Sequence, residues 1–173
     1  MTPRILGVDL GTRRVGLAVA DVAVGIARPL ATLARGASLD ADALALGRVC
    51  REQGVVELVV GLPVEAVDAG GAEGDMARAA RDWASAMGER LALPVTLRDE
   101  RLSSFEAERR LGRMPRGRGG GAPSRTQRNA YRAKVDREAA AIILQDELDA
   151  RGGVTPEGTS ASQGLGSQSQ EER

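Results

Sequence analysis

Histidine is absent from the 173 residues, and cysteine occurs once, as Cys50. No intrachain disulfide and no paired-thiol metal site can form. Ser-His-Asp and Cys-His hydrolase chemistry is excluded, as are zinc sites built on imidazole. Aromatic residues are almost as scarce, with one Phe, one Tyr and one Trp, which poorly supplies a platform for stacking successive bases. Lysine occurs once, as Lys134. No apolar run approaches the length of a membrane helix. Met1–Arg4 leads straight into a strand-like run, with no signal-peptide core, so a cytoplasmic location and no membrane partner are expected. Any acid–base or metal chemistry must come from carboxylates, arginine, the single lysine, hydroxyls or water. Oxygen ligands suit hard cations such as Mg2+ or Mn2+.

With 42% hydrophobic and 28% charged residues, the chain has the composition and length of one globular domain with a proper core. Its formal net charge is zero but unevenly spread. The window Arg101–Lys134 carries ten basic and two acidic residues, a local charge of +8 against −8 elsewhere. Such concentration is the footprint of a polyanion partner. A solvated arginine-rich loop is the bland alternative.

Three strands are expected first: Ile5–Asp9, Val15–Val22, and a third over Gly25–Leu33 that Pro29 assigns to an edge. A helix capped by Ser38 or Asp40 runs to about Gln53 and stops at Gly54. The strand Val55–Gly61, a Gly/Ala-rich loop over Val64–Gly74, a helix over Asp75–Leu91 and a strand over Val95–Arg98 follow. Ser103 and Glu106 form a capping box for a helix reaching about Arg113. Met114–Asn129, with six glycines and prolines, reads as a mobile loop, and Tyr131–Ala150 as the last helix. The expected domain is 1–151, and the polar residues 152–173 form a tail expected to be disordered. The expected class is α/β: a mixed five-stranded sheet, an antiparallel meander of three strands plus two parallel ones, with helices on both faces. Ligands of such sheets sit beyond the carboxyl ends of the strands.

Carboxylates at three places in the chain have positions that suit chemistry. Asp9 ends the first strand, beside Gly11 and Gly16, which permit close approach of backbone or ligand; the plainer alternative is a turn aspartate. Asp99 and Glu100 follow the strand Val95–Arg98 at the same sheet edge, and extended geometry turns at most one of them to the site. Asp136 begins the last helix, with Ala140 and Ile143 on its side, and so borders a buried stripe. There an acid needs a compensating cation or partner, unless it simply serves the helix dipole. Converging, three such acids fit a site for two divalent ions about 4 Å apart that hydrolyses phosphodiesters. The basic segment would hold the phosphate backbone beside it.

The segments ILGVDLGTRRVGLAVAD, VVGLPV, RDERLSSFEAERRL and KVDREAAAIILQ resemble, in order and spacing, the YqgF-type family of pre-16S ribosomal RNA nucleases and Holliday junction resolvases. The resemblance runs from about Arg4 to Arg151 and implies a ribonuclease-H-like fold. It places the family's acids on Asp9, Glu100 and Asp136, which would be both catalytic residues and ligands of Mg2+ or Mn2+. It implies cytoplasmic processing of the 5′ end of precursor 16S rRNA in ribosome biogenesis, or alternatively resolution of branched DNA. Nucleic acid is the expected partner, contacted by Arg13, Arg14, Arg101, Arg116, Arg118, Arg125, Arg128 and Lys134. A monomer and a homodimer both remain open.

The chain departs from the family pattern at Val64–Gly74, a slightly longer loop in which Glu65 replaces a common polar amide. Glu65 and Asp99 therefore stay open as rivals to Glu100 for the second acid. The Arg116–Arg128 stretch is also longer and richer in glycine than the family form. Two other classes compete. An actin-like or sugar-kinase-like ATPase carries a similar D-x-G-T hairpin but needs two such halves, and this chain has no second D-x-G-T element. A non-catalytic nucleic-acid-binding module would gain nothing from carboxylates set beside phosphates.

Overall fold

A computed structural model describes residues 2–63, 74–99, 103–116 and 120–152. Its elements are β1 (Arg4–Leu10), β2 (Arg14–Asp21), β3 (Ala27–Ala34), α1 (Leu39–Gln53), β4 (Val55–Leu62), α2 (Asp75–Leu91), β5 (Val95–Asp99), α3 (Ser103–Leu111) and α4 (Arg125–Gly152). The five strands form one sheet in the order β3-β2-β1-β4-β5. β1, β2 and β3 pair antiparallel, while β4 and β5 run parallel to β1. This is the ribonuclease-H-like arrangement, and it carries the expected meander and parallel pair.

Strand alternation divides the core in two. Leu6, Val8, Leu17, Val19, Leu58 and Val60 pack against Ala43, Leu46 and Cys50 of α1 and Trp83, Ala84 and Met87 of α2. On the opposite face Ile5, Ala18, Ala20 and Val59 pack against Ala140, Ala141, Ile143 and Leu144 of α4. A third cluster joins Ala107 of α3 to Val135, Ala139 and Ile142, so α3 covers the outer side of α4. Sheet below and helix above explain why all six residues of the run Ala139–Leu144 are buried. Such a helix need not be amphipathic.

β3 is the edge strand that Pro29 implies. Leu17 pairs with Ala31 and Ala18 with Pro29, so the register shifts where proline cannot donate to the ladder. α1 is capped as expected: the Ser38 side chain accepts from Ala41 N, and Gly54 closes the helix in the left-handed region at φ 66°. α2 closes in the same way but on a residue with a Cβ, Ala92, at φ 52°.

Two expectations about the last helix are corrected. It begins at Arg125, six residues before Tyr131. The cause is a reciprocal capping box: Gln127 N donates to Ser124 Oγ at 3.2 Å, and Ser124 N donates to Gln127 Oε1 at 2.8 Å. Residues 125–129 are therefore helical and do not belong to a loop. Asp136 consequently stands about three turns into the helix, not in its first turns. The macrodipole fades within the first turn, so that explanation of Asp136 falls away. The tail expected to be disordered lies outside the described residues, apart from Gly152, which is helical.

Candidate functional site

Because β1, β4 and β5 are parallel, their carboxyl ends share one edge of the sheet, and Asp9 lies there on β1. Asp9 is paired with Gly16 of β2, and directly paired residues of an antiparallel ladder share a face. That face is the one covered by α4. A Cβ added at Gly16 would collide with the Asp136 carbonyl. One residue pair further down β1, a Cβ at Gly7 would come within 2.7 Å of the Ala140 oxygen and of Leu144 Cβ. The missing side chains thus form a trough in which α4 lies on the sheet. Gly16 thus permits the close approach expected of it, and the group that approaches is the α4 backbone. Gly11 serves the tight turn, its N–H donating to Arg14 O at 2.9 Å.

Asp9 and Asp136 therefore meet on one face, at one level, at the open edge of the sheet. Asp136 borders the buried Ala140 and Ile143, as its spacing implied. The compensating partner is Arg14 at the start of β2, whose Nε donates to Asp136 Oδ2 at 2.5 Å. Both side chains keep contact with solvent, at 28% and 21% exposure.

Asp99 falls on the other face. Its strand neighbours by alternation, Val95 and Leu97, pack into the α1/α2 core. Arg98, one residue earlier, reaches Glu147 of α4 at 3.4 Å. By alternation Asp99 therefore lies on the face of the sheet opposite Asp9 and Asp136. Glu65, Glu100, Arg101 and Arg118 lie outside the described residues. Among the described residues no three carboxylates gather into one set; Asp9 and Asp136 share one face of the sheet beside Gly16.

The basic residues form an ordered surface. Arg125, Arg128, Asn129 and Arg132 of α4, with Arg13 and Arg14 of the β1–β2 turn, line one open groove. Their positions fall at i, i+3, i+4 and i+7, and Asp136 follows at i+11, one stripe on one side of the helix. At about 1.5 Å per residue the stripe runs roughly 16 Å from Arg125 to Asp136. Arg132 and Asn129 were absent from the expected contact set; helical spacing would have found them once the helix start was known. Lys134, two residues from Asp136, is turned about 200° around the helix and lies off the stripe. Arg116 is exposed and is not part of this groove.

A second polar centre sits behind the turn. Asp42 of α1 is 5% exposed. It accepts from Arg35 Nε at 2.8 Å, Gly36 N at 2.7 Å and Trp83 Nε1 at 2.8 Å. Burial pushes the Asp42 carboxyl upward, but the hydrogen bonds from Gly36, Trp83 and Arg35 outweigh it and hold the group below its ordinary value. Arg35 also donates to Gly11 O at 3.2 Å, joining this centre to the turn after Asp9. At the far end of α4, Arg151 donates to both carboxylate oxygens of Glu57, at 2.9 and 2.5 Å. Hydrogen bonding from Arg151 holds Glu57 below its usual range. Cys50 is buried, and burial pushes its thiol up to about 11, so it supplies no thiolate.

A model of the family described as RuvX, Holliday junction resolvase, matches residues 3–150. A relative from Anaeromyxobacter dehalogenans (strain 2CP-C), named "Putative pre-16S rRNA nuclease", is 47% identical over 148 residues, 86% of this chain and 98% of its own. A relative of the same name from Gluconobacter oxydans (strain 621H) is 42% identical over 158 residues, 89% of this chain and 88% of its own. Among solved structures, T. thermophilus RuvC in complex with Holliday junction substrate aligns with a TM-score of 0.49 at 16% identity, covering 87% of this chain and 96% of that one. No helix among the described residues is long and apolar enough to cross a membrane.

Proposed function

The chain belongs to the RuvX family of Holliday junction resolvases, and from that premise we propose that it is a metal-dependent nuclease whose substrate is the 5′ end of precursor 16S rRNA. The relatives that it matches over most of both chains carry the name of a pre-16S rRNA nuclease. One observation carries the reading: a carboxylate pair, Asp9 and Asp136, stands where a stripe of arginines ends. Arginines alone would serve a binder. An acid at the end of a phosphate track repels phosphate unless a cation lies between them.

The donor set fits hard cations. Asp9 and Asp136 offer oxygen, no imidazole exists in the chain, and the Gly16 contact fixes Asp136 relative to the strand bearing Asp9. Asp9 and Asp136, with Glu100 as third ligand, would hold Mg2+ or Mn2+. Two such ions, when bound, activate water and stabilise the leaving oxygen of an in-line displacement. The groove arginines hold the phosphates on either side of the scissile bond by charge-assisted hydrogen bonds. Arg14, which pairs with Asp136, would have to yield its place, or shift to a phosphate oxygen, for Asp136 to hold a cation.

The family description favours a second substrate, branched DNA, on the same residues. A side-by-side cleavage assay separates the two, with precursor 16S rRNA and a synthetic four-way junction, each with Mg2+, with Mn2+ and with chelator. Cation-dependent cleavage of the RNA at its 5′ end supports the first reading. Cleavage of the junction alone replaces it with the second. Binding of both without cleavage under any cation reduces the protein to a binder.

A further inference from the structure

Of the three aromatic side chains in the sequence, Trp83 is buried against Asp42. The other two, Phe105 and Tyr131, line one surface cavity of about 490 Å3 between α3 and α4. Phe105 is 64% exposed, although α3 has a buried side at Ser103 and Ala107 on which an apolar ring would be expected. Tyr131 is fixed in place: its Oη donates to Gly112 O at 2.6 Å, tying the end of α3 to α4. Met114 lines the cavity too, and Arg109 and Arg113 bring two guanidinium groups to it, against the single carboxylate of Glu108.

An exposed ring beside cations needs an occupant with a flat apolar face and negative charge. We propose that this cavity is a subsite for an unpaired nucleobase, with Phe105 as the stacking face and Arg109 and Arg113 on the flanking phosphates. The proposal rests on the nuclease reading and narrows its substrate to one with a single-stranded segment beside the cut. Three features support it. Every base has a π-face, so one exposed ring suffices without any sequence preference. The volume is that of a pocket for a small planar molecule. The cavity opens on the flank of the helix that carries the arginine stripe: Tyr131 is turned about 100° around α4 from Arg132, which lines the groove, and stands about 7.5 Å along the helix from Asp136. A strand with its phosphates on the stripe has its bases projecting sideways toward this flank. In a duplex the bases are paired and stacked on each other and cannot enter, so the subsite separates single-stranded from paired substrates.

The test is binding in chelator, where cleavage plays no part. A single-stranded oligonucleotide and a duplex of the same length, each with 2-aminopurine at one position, are titrated with the full chain and with Phe105→Ala, Phe105→Leu and Phe105→Trp. Wild type should quench 2-aminopurine in the single strand. Phe105→Ala and Phe105→Leu should lose the quench and weaken single-strand binding about tenfold, as the loss of one stacked base does. Phe105→Trp should retain both, and duplex binding should be unchanged throughout. Because Phe105 is exposed, all three variants should melt with wild type. Equal effects on single strand and duplex, or none on either, overturn the subsite and leave the nuclease reading standing. A wild-type chain that binds no nucleic acid overturns both. Sedimentation showing that Phe105→Ala dissolves a dimer, with single-strand binding intact, assigns the cavity to a second copy and overturns the proposal.

Discussion

Asp42 and Asp136 are both helix-borne aspartates held by an arginine, on opposite faces of one sheet, and they differ in how far the protein has used them up. Asp42, on the α1/α2 face, is 5% exposed and accepts from a guanidinium, a backbone amide and an indole. Asp136, on α4, keeps 21% of its side chain exposed, and among the described residues Arg14 is the donor it meets. A carboxylate whose oxygens are filled by rigid donors is part of the scaffold. One with a solvent-touched guanidinium and an open groove beside it still has oxygen to offer. Both acids are paired, so the proposed division between a structural acid, Asp42, and a functional one, Asp136, rests on this remaining capacity.

The sharpest way to break this contrast is to neutralise the two acids in turn. Asp9→Asn and Asp136→Asn should lower cation-dependent cleavage by at least about 100-fold, more than a mutated supporting residue costs a metal site. The melting temperature of Asp136→Asn should stay close to wild type, because its ion pair with Arg14 is in partial contact with water and contributes little. A near-wild-type rate for either removes it from the site. Asp42→Ala should do the reverse: a loss of about 3 kcal/mol in stability, because Arg35 is left facing a partly buried vacancy, with nucleic-acid binding by the folded fraction unchanged. Equal destabilisation by Asp42→Ala and Asp136→Asn in denaturant titration would erase the distinction.

The pH dependence sharpens it. Asp42 and Glu57 are held below their ordinary values when folded, so the stability they contribute is full above the unfolded carboxylate range of roughly 3.9–4.3. It is lost as pH falls through their folded values. The stability gap between wild type and Asp42→Ala should be constant from pH 8 to about pH 5 and close below about pH 4. A gap that persists at low pH would show that packing, not charge, sets it.

Smaller effects lie on either side. The combined Arg125→Ala, Arg128→Ala and Arg132→Ala variant should reduce the slope of log affinity against log salt by roughly 2 for a single strand; an unchanged slope removes the stripe from the interface. On the scaffold side, Ala92→Gly should stabilise by up to about 1 kcal/mol, since Ala92 holds a left-handed cap that glycine adopts without strain. Unchanged thermal unfolding would deny that strain.

The features legible in the sequence were those with short-range signals. Alternation gave the strands, Pro29 named the edge, Gly54 ended α1, and Asp9 at a strand end could be placed before any contact was known. The start of α4 was hidden because six glycines and prolines over Met114–Asn129 outweighed one Ser124–Gln127 box. With it went the arginine stripe, whose register exists only once the helix begins at Arg125. The Asp42 centre was hidden for another reason: its donors lie 6, 7 and 41 residues away, and no local pattern links a first-turn aspartate to an indole on another helix. The Asp9–Asp136 meeting was implied by resemblance, but its means, an absent side chain at Gly16, emerges only from the packing of α4 on β2.

At Gly7 and Gly16 main chain rests on main chain. Interlocked side chains can give way by changing rotamer; two backbones in contact have no such freedom. The seat of Asp136 is therefore a stiff joint, one that resists tilting of α4 on the sheet. Whatever adjustment a bound strand requires falls to Arg14 and the turn that delivers it, the softer half of the same pair.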